Sequence, residues 1–202
     1  MMIGSIILIV LGVMALIGIG STAIRDFGVP TIALVLVFGA IVGLNFIPQT
    51  NINNAFYFSF GTALLVVMTF FLWLLKGSIK NRALCLLISI VLAGVLYGAT
   101  RLANYFNSDL WSRVNVYYAL MIGFFAFIVT RNAKYAFIAS VLSVTVATLL
   151  TQIGSPINLD EVYTPSIIAS GVAVVLYSMV SALMPSRPSK MTYYYEMGRL
   201  ED

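Results

Sequence analysis

Apolar residues run through this chain in seven long blocks, and polar residues collect between them. The blocks cover about 3–20, 30–47, 55–75, 83–100, 115–130, 135–153 and 166–184. Each is close to the length an α-helix needs to cross about 30 Å of hydrocarbon. They are continuous, not alternating, so they read as helices, and strands of roughly ten residues as in a membrane barrel are not expected. In lipid the backbone must satisfy its own hydrogen bonds within a segment, which favours the same choice. The expected fold is therefore all-α, a polytopic bundle of seven transmembrane helices over 1–184 followed by a polar tail, 185–202. Pro30 suits the first turn of the second helix, where a missing N–H costs nothing. Pro48 stops that helix, Lys76, Lys80 and Arg82 close the third, and Arg131 and Lys134 divide the fifth from the sixth. The segment Leu102 to Val114 mixes Tyr105, Phe106 and Trp111 with Asp109 and Arg113, a composition suited to the headgroup level. A loop, Gly154 to Thr164, carries Asp160 and Glu161 ahead of Pro165 and the last block.

The basic residues orient this arrangement. Seven crossings place the termini on opposite sides. The carboxyl-terminal side holds Arg25, Lys76, Lys80, Arg82, Arg131, Lys134, Arg187, Lys190 and Arg199, and the other side only Arg101 and Arg113. Short loops rich in Lys and Arg stay in the cytoplasm. The amino terminus is thus expected outside and the carboxyl terminus in the cytoplasm, in a bacterial-type plasma (inner) membrane. No Lys or Arg precedes the first block, so the positive n-region of a signal peptide is missing. Ser21-Thr22-Ala23 has the small-residue form of a cleavage site, but a retained first span is the expectation.

Composition adds exclusions. The 202 residues are 61% hydrophobic and 9% charged, whereas a soluble domain carries about a quarter charged residues. Lipid, not a protein core, can cover so much apolar surface. The formal charge of +4 belongs to the basic loops and does not point to nucleic acid. The chain has no histidine, which removes Ser-His and Cys-His pairs, zinc sites of the HExxH type and histidine-ligated haem. Its one cysteine, Cys85, cannot form an internal disulfide or a CxxC site and reads as a buried small hydrophobe. No Asp, Glu, Lys or Arg stands in the middle of a block, which argues against proton pumps, aspartyl intramembrane proteases and retinal proteins. No cofactor or metal is expected.

Four features could carry function. Gly39 and Gly43, and again Gly94 and Gly98, form GxxxG pairs that let another backbone approach, either across a dimer seam or, more commonly, inside a bundle. The sixth block carries Ser140, Ser143, Thr145, Thr148, Thr151 and Gln152. Its hydroxyl face reads either as hydroxyls bonded back to the preceding turn or as the lining of a polar path. Asn45, near the end of the second block, suits a capping or interhelical hydrogen bond, with a ligand contact as the alternative. The tail, with Arg187, Lys190 and Tyr193-Tyr194-Tyr195, suits an anionic inner leaflet or a docking peptide.

Gly43-Leu44-Asn45-Phe46-Ile47-Pro48, the long third block with its basic end, and Arg82-Ala83 together resemble an uncharacterised prokaryotic family of small multi-pass membrane proteins. Leu159-Asp160-Glu161-Val162 stands where that family has a glycine-rich stretch with an aspartate. The resemblance implies a multi-pass architecture and brings no activity with it. Pro48-Gln49 also resembles the Pro-Gln dipeptide of small seven-span sugar and amino-acid carriers, without a second Pro-Gln after the sixth block.

The leading functional expectation is a non-catalytic membrane scaffold or accessory subunit acting through helix packing. Its partners would be the lipid bilayer and another membrane protein or a second copy of the chain, not nucleic acid. The alternative is a carrier or channel for small uncharged solutes, with a path along Asn45, Ser140, Ser143, Thr148, Thr151 and Gln152. The third is a lipid-modifying enzyme using the outer-loop carboxylates Asp109, Asp160 and Glu161.

Overall fold

The computed structural model describes residues 2–52, 55–75, 78–106 and 115–183. Among them, helices α1 (Met2–Leu16), α2 (Ser21–Phe27) and α3 (Thr31–Leu44) precede strands β1 (Thr50–Ile52) and β2 (Phe56–Phe58). Helices α4 (Phe60–Leu74), α5 (Ile79–Tyr105), α6 (Val116–Thr130) and α7 (Ala133–Thr151) follow, then β3 (Ile157–Asn158) and α8 (Asp160–Leu183).

Three helices, α5, α7 and α8, are long and apolar enough to cross a membrane, and α1 with α2 adds a fourth if the pair is one span bent by 101°. The other three helices are shorter, and for α3 and α4 the loss against the apolar block has a local cause. α3 begins after Pro30 and ends at Asn45, so Phe46 and Ile47 fall in a turn. The third block spends Phe56 to Phe58 on a strand before Ser59 caps α4 by accepting from the Thr62 amide. The resulting 14 and 15 residues span about 21–23 Å at 1.5 Å per residue.

The first block does not make one straight helix. Gly18 and Gly20 take φ of +84° and +78°, a conformation that L side chains resist. The chain turns there, and Gly20 also packs so close to Ser178 that a methyl would stand 2.9 Å from its Oγ.

The strands are a departure from the all-helical expectation. β1 pairs antiparallel with β2 (Thr50↔Phe58, Ile52↔Phe56), and β2 pairs parallel with β3 (Phe56↔Ile157, Tyr57↔Asn158). Where the chain leaves its helices at this end of the bundle, the backbone groups are met by one another. The expected loop Gly154 to Thr164 is likewise half helix. α8 opens at Asp160, and Pro165 lies inside it. Asp160 and Glu161 occupy the first turn, where the helix dipole favours negative charge.

α7 is the centre of the bundle: its most apolar window is 72% buried, against 39% for α5 and for α8. Ala136, Ala139, Ser140, Ser143 and Ala147 are fully buried, and such small side chains let neighbouring helices come close. α5, α8, α6 and α4 all pack on it. The outer faces remain apolar. Leu36, Phe71, Leu87, Ile90 and Val95 are each more than half exposed, a surface that water would not tolerate over this extent.

Candidate functional site

The end of the second apolar block and the acidic start of the last helix meet at one end of this bundle. Asn45 closes α3 and Asp160 opens α8, and Ser59 and Thr62 at the start of α4 stand between them. Asp160 is 9% exposed. Its Oδ1 accepts from the Ser59 amide at 2.7 Å and from the Thr62 hydroxyl at 3.1 Å. Its other oxygen accepts from Gln49 Nε2. Ser59 Oγ donates to Asn45 Oδ1 at 2.6 Å and lies 2.8 Å from Thr62 Oγ1. With the Ser59 proton given to Asn45 and the Thr62 proton to Asp160, both hydroxyl protons are spent, and the two hydroxyl oxygens meet without a proton between them.

Local sequence explains why these groups converge. Ser59 follows an aromatic strand and precedes an apolar run, the signature of a helix N-cap. Its side chain accepts from the Thr62 amide at 3.3 Å. The Asp160 carboxylate then takes the Ser59 amide, so a negative charge sits at the positive end of α4. Gly61 permits this: a methyl there would collide with the Asn45 amide and the Ile41 carbonyl. α4 can approach α3 only because position 61 has no side chain.

Gln152, at the end of α7, ties the sheet to the same cluster. Its Oε1 accepts from the Asn158 amide at 2.8 Å, and its Nε2 donates to the Asn158 carbonyl at 3.3 Å and to Glu161 at 3.0 Å. Asn158 in turn accepts the Asp160 amide at 3.1 Å. Tyr163, fully buried one turn along α8, meets Ser5 of α1 at 3.2 Å. Residues from α1, α3, α4, α7, α8 and the sheet are thus joined by side-chain bonds at one end. The arrangement is a clasp. Both Asp160 oxygens are engaged by neutral donors, and Asn45 Nδ2 is the one clasp atom buried without a partner. Among the described residues no three metal-binding side chains of the His, Cys, Asp or Glu type gather.

Of the residues singled out from sequence, Asn45 and Gln152 enter this clasp. Ser140, Ser143, Thr148 and Thr151 lie farther along α7. Ser143 Oγ bonds the Ser140 carbonyl at 3.0 Å, and Thr151 Oγ1 bonds the Thr148 carbonyl at 2.8 Å. The Ser140, Thr148 and Ser166 hydroxyls are buried without a partner. Gly39, Gly43, Gly94 and Gly98 all face outward, and a methyl on any of them would meet nothing within 4 Å. Close packing inside the bundle falls instead to Gly61 and to Gly123, where a methyl would overlap the Ala169 carbonyl of α8. Of the outer-loop acids, Asp160 is held in the clasp, Glu161 is exposed, and Asp109 lies outside the described residues. So do Lys76, Trp111, Arg113 and the tail with Arg187, Lys190 and Tyr193 to Tyr195.

Sequence alone gave no site role to Gln49, noted there only within Pro48-Gln49, and did not single out Ser59, Thr62, Asn158, Ser5 or Tyr163. Ser59 and Thr62 could have been flagged by their capping spacing, and Gln49 by standing in a polar loop with Asn45 nearby. The others had no signal, because hydroxyls and amides at helix ends are ordinary. No family model, no curated protein and no solved structure matches this chain.

Proposed function

We propose that this chain is a multi-pass plasma-membrane protein that works without catalysis, as a scaffold or accessory subunit that docks through its outer helix faces. The observation that carries the reading is the direction of the two GxxxG pairs. Gly39 and Gly43 on α3, and Gly94 and Gly98 on α5, open flat strips on the apolar exterior with nothing set against them. In lipid there is little hydrophobic gain from helix association, so such strips are where a second backbone can gain dispersion contacts.

In this reading the bent α1–α2 pair is the first of seven crossings and α3 to α8 (the three short helices included) are the other six. The contacts support alternation: Ser5 reaches the Asp160 end, while Asp26 bonds Asn132 at 3.1 Å at the opposite end. That opposite end also carries Arg25, Arg82, Arg131 and Lys134, which supports a cytoplasmic position for it in this reading. The clasp then lies outside.

The test is co-purification of two differently tagged copies, and of any membrane partner, from native membranes in mild detergent. Gly94→Leu with Gly98→Leu, or the same change at Gly39 and Gly43, should reduce capture several-fold while the monomer still folds. Capture that ignores both pairs would remove the basis of the reading.

A second reading, a carrier or channel for small uncharged solutes, is favoured by the partnerless buried hydroxyls of Ser140, Thr148 and Ser166. Buried polar atoms without partners are uncommon. In proteoliposomes this reading expects solute flux that Thr148→Leu abolishes, whereas the scaffold reading expects no flux from either form.

A further inference from the structure

The bend between α1 and α2 encloses, with α3, α7 and α8, a cavity of about 290 Å³. Its floor is made by Ala15, Leu34, Phe38 and Phe137, all buried. Phe27 closes the floor, its ring edge-on to Phe137 with the centres 5.5 Å apart. The mouth is formed by Ile19 at the bend and by Met179 and Ala182 near the end of α8, all exposed on the apolar exterior.

The walls narrow the choice of occupant. Two hydroxyls reach them, and both are spent on their own helix: Ser170 on the Ile167 carbonyl at 3.2 Å, Ser178 on the Val174 carbonyl at 2.9 Å. A water or a polar solute needs about two to four polar partners, and this lining does not offer them. A helix with its side chains is about 10 Å across, so neither a partner's helix nor a second copy of the chain fits inside. A hydrocarbon chain does. A dry cavity of about 150 Å³ suffices for benzene, so this one has room for roughly twelve carbons. Left empty, its aromatic floor would forgo the dispersion contacts that close packing supplies. The cavity also has the length of a lipid chain. From Ser170 to Ala182 its lining follows α8 for about 18 Å, close to one leaflet of a hydrocarbon core of about 30 Å.

We propose that this cavity holds one acyl chain of a phospholipid from the leaflet at the basic end. The chain enters between Ile19 and Met179 and leaves its headgroup outside. Thr22 and Ser181, bonded to each other at 2.8 Å and next to the mouth in sequence, mark the level where the polar part of the lipid begins. The inference rests on the membrane placement in the reading above, and not on the outward glycine pairs.

The experiment is photolabelling of the full chain in proteoliposomes that contain a phosphatidylcholine with a diazirine midway along one acyl chain, with cross-links mapped by mass spectrometry. Phe38 and Phe137 are 7% and 3% exposed, so lipid on the exterior cannot reach them. Both should be labelled, together with the exterior residues Leu87 and Val95 of α5. Val174→Phe puts a ring into the cavity and should cut the labelling of Phe38 and Phe137 several-fold while Leu87 and Val95 keep theirs. Thermal unfolding checks that variant. Should it not fold, Met179→Trp, at the exposed mouth, takes its place and should have the same effect. Labelling of the exterior alone would overturn the site, and so would floor labelling that a folded variant leaves unchanged. Absence of label at both places would overturn the membrane placement and the site with it. Floor labelling suppressed by palmitate but not by an equal amount of unlabelled phosphatidylcholine would overturn the phospholipid as the source of the chain.

Discussion

Asp160 is a carboxylate removed from water and held by an amide, a hydroxyl and a carboxamide. Hydrogen bonds of this charge-assisted kind contribute more than neutral ones, and a donor left unmet in the interior costs about 1–3 kcal/mol. Asp160→Ala strands the Ser59 amide, the Thr62 hydroxyl and the Gln49 amide together. Its expected cost is therefore about 2–4 kcal/mol, read as a lower unfolding midpoint in detergent. Asp160→Asn keeps an oxygen toward Ser59 and Thr62 and should cost clearly less. Equal midpoints for the Ala variant and the unaltered chain would show that the clasp does not hold the bundle. At the same scale, Asn45 uses one end of its carboxamide and leaves Nδ2 without a partner. Its Oδ1 is taken by Ser59 at 2.6 Å, which is an interhelical hydrogen bond of the kind its position suggested.

At the scale of elements, the glycines divide into two groups that look alike in sequence. Gly123 and Gly61 sit where helices touch, and Gly94 and Gly98 sit where nothing does. Gly123→Ala must push α6 away from the Ala169 carbonyl on α8, an overpacking expected to cost about 1–3 kcal/mol. Gly98→Ala meets open space and should change stability by less than about 0.5 kcal/mol, as surface substitutions do. Parallel melts of the two variants check this, and similar losses for both would contradict the assignment of inner and outer faces. The bend between α1 and α2 makes a third test. Gly20 combines a positive φ with close approach to Ser178, so Gly20→Ala should destabilise by about 1 kcal/mol or more. Gly12 faces open space inside α1, so Gly12→Ala should be silent or mildly stabilising.

At the scale of the whole molecule, the two ends differ in chemistry. One is a neutral and acidic clasp with a small sheet, and the other gathers arginine and lysine. If the basic end lies in the cytoplasm, labelling of single cysteines will show it. With buried Cys85 replaced by Ser, Ser155→Cys should react with an impermeant maleimide on intact cells. Lys80→Cys should react only after the membrane is opened. Both positions are exposed at their own ends of the bundle. The reverse pattern would invert the protein in the membrane, and reaction of both on intact cells would remove the alternation of crossings altogether.

The amino-acid order by itself determined that the chain is helical, membrane-bound in character and basic at alternate connections. Those conclusions follow from continuous apolar length and from where Lys and Arg fall, and neither needs to know which residues touch. Tertiary structure decided the rest. In a water-soluble helix a polar stripe marks the outside, but here Val95 on the exterior and Leu96 in the core are equally apolar. Periodicity therefore carried no information about which face of α3 or α5 turns inward, so the direction of the GxxxG pairs could not be read. Nor could the joining of Asn45 to Asp160, 115 positions apart, because each is an ordinary polar residue at a helix end until Ser59 stands between them. The strands and the early start of α8 were hidden for a related reason. Phe56 to Phe58 are as apolar as the helix they precede, and only pairing with Ile157 and Asn158 draws them into a sheet.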